Sequence, residues 1–203
     1  MKKLESSNCK LLSDKELIVL FQKEKDEEAF KEIYFRYKDI IYNYIHNFLY
    51  IHNFLYKSSA EDADDLLNEV FIKVYLKLYS LKNADAFKTW LFRIARNICI
   101  NYIKKIKHQM KEIKLGEYLD KILRDKDLDV ENRFINNEVM KFIFNELSKL
   151  KKEIKEIFML KFYDNLTFDE ISKITSIPLR TVKYKVKQAT INLHIRLKEA
   201  GYL

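Results

Sequence analysis

The densest chemistry in the 203-residue sequence lies near its C-terminal end. Arg180, Thr181, Lys183, Tyr184, Lys185, Lys187 and Gln188 crowd into nine positions, and from Pro178 to Lys198 there are six bases and no acid. Side-chain donors of these types bond base edges and phosphate oxygens. A second acid-free run, Lys88 to Lys107, also holds six bases and includes Arg93, Arg96, Asn97, Asn101, Lys104 and Lys105. Between Glu61 and Glu69 the sign reverses, with five acids and no base. A single electrostatic partner would not ask for both signs: the positive runs suit a polyanion, the negative one a different surface.

Other chemistries find no footing. His46, His52, His108 and His194 are scattered, and no Gly-rich phosphate loop, nucleophile with an adjacent base, or His/Cys/Asp metal spacing occurs. No catalytic residue, metal or cofactor is expected, and the chain does not read as an enzyme. Cys9 sits in a polar tail and Cys99 inside an apolar helical pattern, which argues for free thiols in a reducing cytoplasm. Met1 to Ser13 lacks the apolar core and cleavage site of a leader, and no run approaches the roughly 18 apolar residues of a membrane span. A cytoplasmic chain without membrane insertion follows as the expectation.

The elements that must position these residues are helical. Two Gly and one Pro are too few for the turns of a strand-rich chain, and 48% apolar residues suffice for one or two cores. The net charge of +8 and pI near 9.2 again favour a polyanionic partner. Ser13-Asp14-Lys15-Glu16 is a capping box opening a first helix with Leu17, Leu20 and Phe21 inward. After a polar break at Lys23 to Glu28, Phe30, Ile33, Tyr34, Tyr37, Ile41 and Tyr44 recur at helical spacing.

This long helix runs into a tandem repeat, IHNFLY, at Ile45–Tyr50 and Ile51–Tyr56. Six residues turn a helix by about 600°, so the second copy points about 120° away from the first and cannot extend the same stripe. One copy is surplus to packing, as a tolerated duplication would be.

A third helix is predicted from near Ser59, with Asp62 three residues on. It buries Leu67, Val70, Phe71, Val74 and Leu78 and shows Asp65, Asn68 and Glu69 outward. A fourth turns Phe87, Leu91, Ile94, Ala95 and Ile98 inward, with Arg93, Asn97, Asn101 and Lys104 on the opposite stripe. Trp90, beside Phe87 and Leu91, is assigned to the core. From His108 to Asn137 the periodicity fades around a lone Gly116, the composition of a flexible tether. Phe142, Leu147, Leu150, Ile154, Ile157 and Phe158 then start a second core near residue 138.

In that second core Thr167-Phe168-Asp169-Glu170 is another capping box, followed by a break at Thr175 to Ile177 and by Pro178 where a new helix can begin. Ser172 supplies a small side chain where two helices cross, and Ile171, Ile174, Val182 and Val186 fill the space between them. This is a helix-turn-helix, whose second helix can enter a major groove.

The run MLKFYDNLTFDEISKITSIPLRTVKYKVKQA, Met159 to Ala189, resembles region four of the sigma factors that direct bacterial RNA polymerase. EDADDLLNEVFIKVY, Glu61 to Tyr75, is similar to their region-two docking helix, and AFKTWLFRIARNICINYIKK, Ala86 to Lys105, is similar to the segment that melts and reads the minus-ten element. The absence of a region three between them resembles the extracytoplasmic-function group. The resemblance implies an all-α fold of two small helical domains, a region-two bundle over residues 13–107 and a region-four helix-turn-helix over 138–203. A tail of residues 1–12 precedes them and a linker of residues 108–137 joins them.

It further implies core RNA polymerase (its β′ clamp and β subunits) and promoter DNA as partners, and leaves room for an anti-sigma factor. Asp65, Asn68 and Glu69 would bind polymerase, although the family usually has Gln where Asn68 stands. Asn97 would line a pocket for a flipped-out base, with Asn101 one turn further along, while Arg93, Arg96, Lys104 and Lys105 would meet phosphates. In region four Arg180, Thr181, Lys183, Tyr184, Lys185, Lys187 and Gln188 would contact the minus-thirty-five element; the family often has Gly and Ser at the positions of Arg180 and Tyr184. A helix-turn-helix regulator acting without polymerase would explain the C-terminal half but not the acidic helix followed by a basic, aromatic one. A nucleic-acid enzyme lacks any supporting constellation.

Overall fold

The computed structural model describes residues 9–52, 60–112 and 138–203, and every regular element among them is helical. The chain divides into two compact units, one of Met1–His46 and Ser58–Asn101, the other of Asn47–Lys57 and Tyr102–Leu203. No helix among the described residues is long and apolar enough to cross a membrane.

In the first unit α1 (Asp14–Glu24) opens on the predicted capping box. The Ser13 hydroxyl accepts from the Glu16 amide, and the Ser13 amide donates to the Glu16 carboxylate at 2.7 Å. That hydrogen bonding, led by the Ser13 hydroxyl, lowers the Glu16 pKa. The helix stops where Lys25 adopts a left-handed conformation, φ 51°. Leu17, Ile18 and Phe21 are its buried residues; Leu20, expected inward, is only half-buried, and Ile18 takes the place beside Leu17. α2 (Glu27–His52) follows at once, with the Asp26 side chain accepting from the Ala29 amide at 3.0 Å.

Aromatic rings set how α2 lies against its neighbours. Tyr34 meets Phe71 at 4.8 Å, Tyr37 meets Phe87 at 5.3 Å and Tyr44 meets Phe92 at 5.2 Å between centroids. Phe21, Phe30 and Tyr75 form a further cluster, all within 5.4 Å of one another. Edge-to-face pairs of this kind add about 0.5–1.5 kcal/mol to what their burial supplies. A polar clamp ties the start of α1 to α2: the Arg36 guanidinium bonds Asp14 at 2.9 Å and Glu32 at 2.8 Å, and the buried Tyr37 hydroxyl donates to Asp14.

α3 (Ala60–Lys77) buries Leu66, Leu67, Val70, Phe71 and Val74, and runs into a short 3-10 turn, Leu78–Ser80. Gln22 of α1 holds the exit of that turn, donating to the carbonyls of Leu78 and Leu81 at 2.8 and 2.9 Å. A second 3-10 turn, Ala84–Ala86, is capped by the Asn83 side chain and leads into α4 (Phe87–Glu112), whose Phe87, Leu91, Phe92, Ala95, Ile98 and Cys99 are buried.

Of the repeat, the first copy lies inside α2, with Ile45, Phe48 and Leu49 buried, and the second contributes Ile51 and His52 to the end of the helix. Its other residues, the Ser59 start signal and the tether around Gly116 lie outside the described residues.

In the second unit α5 (Glu138–Ser148) and α6 (Lys152–Phe162) pack through Leu147 and Phe158 onto Ala189, joined by the partly buried Ile143, Leu150, Ile154 and Leu193. Between α6 and α7 (Phe168–Thr175) Asn165 takes a positive φ of 52°. Lys161 closes that turn by donating to the Leu166 carbonyl at 3.1 Å while its ammonium lies 5.0 Å from the Phe168 ring. α8 (Leu179–Glu199) completes the unit.

Candidate functional site

The helix-turn-helix is built as its sequence signals require. Thr167 and Glu170 form both halves of the capping box, and α7 ends at Ser176, whose φ of 61° reverses the chain. The Ser172 hydroxyl donates to the Ile177 carbonyl at 2.7 Å. Small size was the expected reason for Ser172; the structure adds a hydrogen bond that satisfies a turn carbonyl and fixes where the second helix starts. Pro178 caps α8 rather than occupying its first turn, and its carbonyl accepts from the Val182 amide at 3.0 Å. Ile171, Ile174, Val182 and Val186 are all buried between the two helices.

With Val182, Val186 and Ala189 inward, the opposite line of α8 is Arg180, Tyr184, Lys187 and Ile191, since successive residues step by about 100°. Arg180, Lys183, Tyr184, Lys187 and Gln188 are exposed, Tyr184 at 63%, while Thr181 and Lys185 lie at the flank and are half-buried. Lys185 is ion-paired with Glu153 of α6.

On α4 the expected outer stripe is present: Arg93, Asn97, Asn101 and Lys104 are exposed, as is Lys105, and Arg96 is half-buried. Trp90, assigned to the core from its neighbours, is half-buried, its ring 6.1 Å from Phe87. Helical spacing sets it on the solvent side, one turn before Arg93 and Asn97. Asn amides on this stripe can both donate to and accept from a base edge.

On α3 Asp65, Asn68 and Glu69 are exposed, and Lys73 reaches back to Glu69 at 2.5 Å, an exposed pair one turn apart. Phe71 is buried. The same outer face continues into residues not singled out from the sequence: Ile72, Leu76 and Tyr79 are 60%, 59% and 72% exposed. Their spacing from Asp65 and Glu69, three or four residues at each step, is the sequence signal that places them on this outward stripe. The face is acidic at its N-terminal half and apolar at its C-terminal half.

Comparison with known proteins agrees with both halves. Residues 33–109 match the family Sigma-70 region 2, and residues 143–191 match Sigma-70, region 4. The chain is 30% identical over 183 residues to the ECF RNA polymerase sigma factor SigW of Bacillus subtilis, covering 87% of this chain and 93% of that one. It is 27% identical to the ECF RNA polymerase sigma-E factor of Haemophilus influenzae, over 88% and 92% of the two chains. Among solved structures, CnrH in complex with the cytosolic domain of CnrY shares the fold with a TM-score of 0.60 at 16% identity, over 92% of this chain and 97% of that one. The sigma factor RpoE of Bartonella quintana, in complex with the anti-sigma factor NepR, gives 0.54 at 17%, over 83% and 98%. With a region-two match and a region-four match in that order, and relatives aligned over nearly their whole length, the chain belongs to the extracytoplasmic-function group of the sigma-70 family of RNA polymerase sigma factors.

Proposed function

We propose that this sigma factor divides its task among three helix faces. The outer face of α3 docks on the β′ clamp of core RNA polymerase, Asp65, Asn68 and Glu69 meeting basic groups and Ile72, Leu76 and Tyr79 burying apolar surface beyond them. The outer stripe of α4 takes the minus-ten element: Asn97 and Asn101 read an unstacked base, and Arg93, Arg96, Lys104 and Lys105 hold the backbone. α8 enters the major groove at the minus-thirty-five element, where Arg180, Lys183, Tyr184, Lys187 and Gln188 supply the contacts, with Thr181 at the rim.

The work is binding rather than covalent chemistry: binding energy gathered on α3 and α8 offsets the cost of unstacking that α4 stabilises. The polymerase and chromosomal DNA it needs are in the cytoplasm, the proposed location. An anti-sigma factor is a further proposed partner, in line with the RpoE–NepR complex.

The observation that carries this reading is the opposition of exposed faces, acidic and then apolar on α3, basic on α4 and α8. Asp65 is exposed, so D65R reverses a charge without disturbing packing. The variant is expected to keep its helical circular dichroism and to lose binding to purified core polymerase. Unchanged affinity would remove the docking assignment.

A further inference from the structure

Lys185 differs from Arg196, which is paired with Glu199 of its own helix, in being held by an acid of another helix. Its side chain is 25% exposed, and its ammonium is paired with the Glu153 carboxylate, 32 residues earlier in sequence and 50% exposed. Glu153 lies in the first turn of α6, where the unpaired amides of a helix start favour a carboxylate. Lys185 itself sits on the flank of α8, off the line of Arg180, Tyr184 and Lys187 that faces directly away from the core. The pair therefore borders the DNA face without belonging to it.

We propose that Glu153 stands in for a backbone phosphate: it holds Lys185 against the body of the unit and sets the affinity of α8 for DNA below what its cations would otherwise give. This rests on the helix-turn-helix reading above. A lysine adds to DNA affinity chiefly by neutralising a phosphate and so releasing a condensed counterion. Lys185 is already paired from within, so in the native chain it is held back from that exchange. Breaking the pair makes the ammonium available at the groove rim, where a lysine stem can swing toward the nearest phosphate.

The test is the salt dependence of binding by the full chain to a short fluorescent duplex of mixed sequence, since phosphate contacts do not require a particular promoter. Each phosphate neutralised steepens the slope of log affinity against log salt by about 0.9. E153Q is expected to steepen the slope by about that amount and to bind several-fold tighter at low salt. E153Q/K185M is expected to return to the native slope. An unchanged slope in E153Q would overturn the proposal and leave the pair a structural contact, visible only in thermal unfolding. An equal steepening in the single and double variants would also overturn it, because removal of the acid alone would then explain the gain. A native chain that binds no duplex, alone or with core polymerase, would instead overturn the helix-turn-helix reading, and the proposal with it.

Discussion

Replacing Ile72 and Leu76 together with alanine should weaken the attachment of the chain to core polymerase while leaving the chain folded. Both side chains are about three-fifths exposed, at 60% and 59%, so most of their apolar surface is free to be buried by a partner. Full burial of such a side chain contributes about 1.5–3 kcal/mol, and the share still exposed, less the methyl that alanine keeps, leaves about 1 kcal/mol each. The pair then accounts for about 2 kcal/mol, a loss of roughly 30-fold in affinity. Alanine is the best helix former, so α3 itself should not suffer. The assay is a fluorescence-anisotropy titration of labelled protein with core enzyme, beside a thermal unfolding curve for each variant. Affinity within a factor of two of the native value, with an unchanged unfolding curve, would refute the extension of the docking face beyond Glu69.

Asn97→Ala should impair promoter opening, followed by permanganate reactivity of unstacked thymines, more than closed-complex binding measured in a mobility shift; equal losses would count against a base pocket on α4. Thr167→Ala removes the hydroxyl that accepts from the Glu170 amide and should destabilise the second unit by about 1 kcal/mol, with Thr167→Ser restoring most of it. Chemical unfolding measures both variants, and an unaffected Ala variant would mean that the capping box does not hold α7 in place. Burial first, and then the hydrogen bond to Asp14, raise the Tyr37 pKa from its ordinary 10.0. A raised folded value means that the stability from this proton is fully present below about pH 10 and is lost as pH climbs toward the folded value. Tyr37→Phe should flatten that alkaline fall in urea unfolding curves, and an identical fall in both proteins would assign it to other groups.

What was legible in the sequence was local or periodic. The boxes at Ser13 and Thr167 need only residues three apart, and both are formed. Leu67, Val70, Phe71, Val74 and Leu78 follow from the repeat of the helix, and all are buried. The apolar face at Ile72, Leu76 and Tyr79 is less legible, because apolar periodicity by itself points to a core and these three side chains are exposed. Long-range partners are out of reach for a different reason: nothing in the sequence joins Lys185 to Glu153, or Arg36 to Asp14, because each pair forms between two different helices that only the fold brings together. Sequence neighbours alone place Trp90 in the core, whereas it is half-buried. An apolar neighbour at the next position in a helix points about 100° away, so Leu91 is buried and Trp90 is only partly so.

The defining property of this chain is that it confers promoter-dependent initiation on an enzyme that lacks it. Core polymerase stripped of sigma factors, incubated with genomic DNA fragments and nucleotides, should yield discrete transcripts with shared upstream sequences when the native chain is added and none when D65R replaces it. Discrete transcripts from the D65R reaction, or none from the native one, would contradict the account.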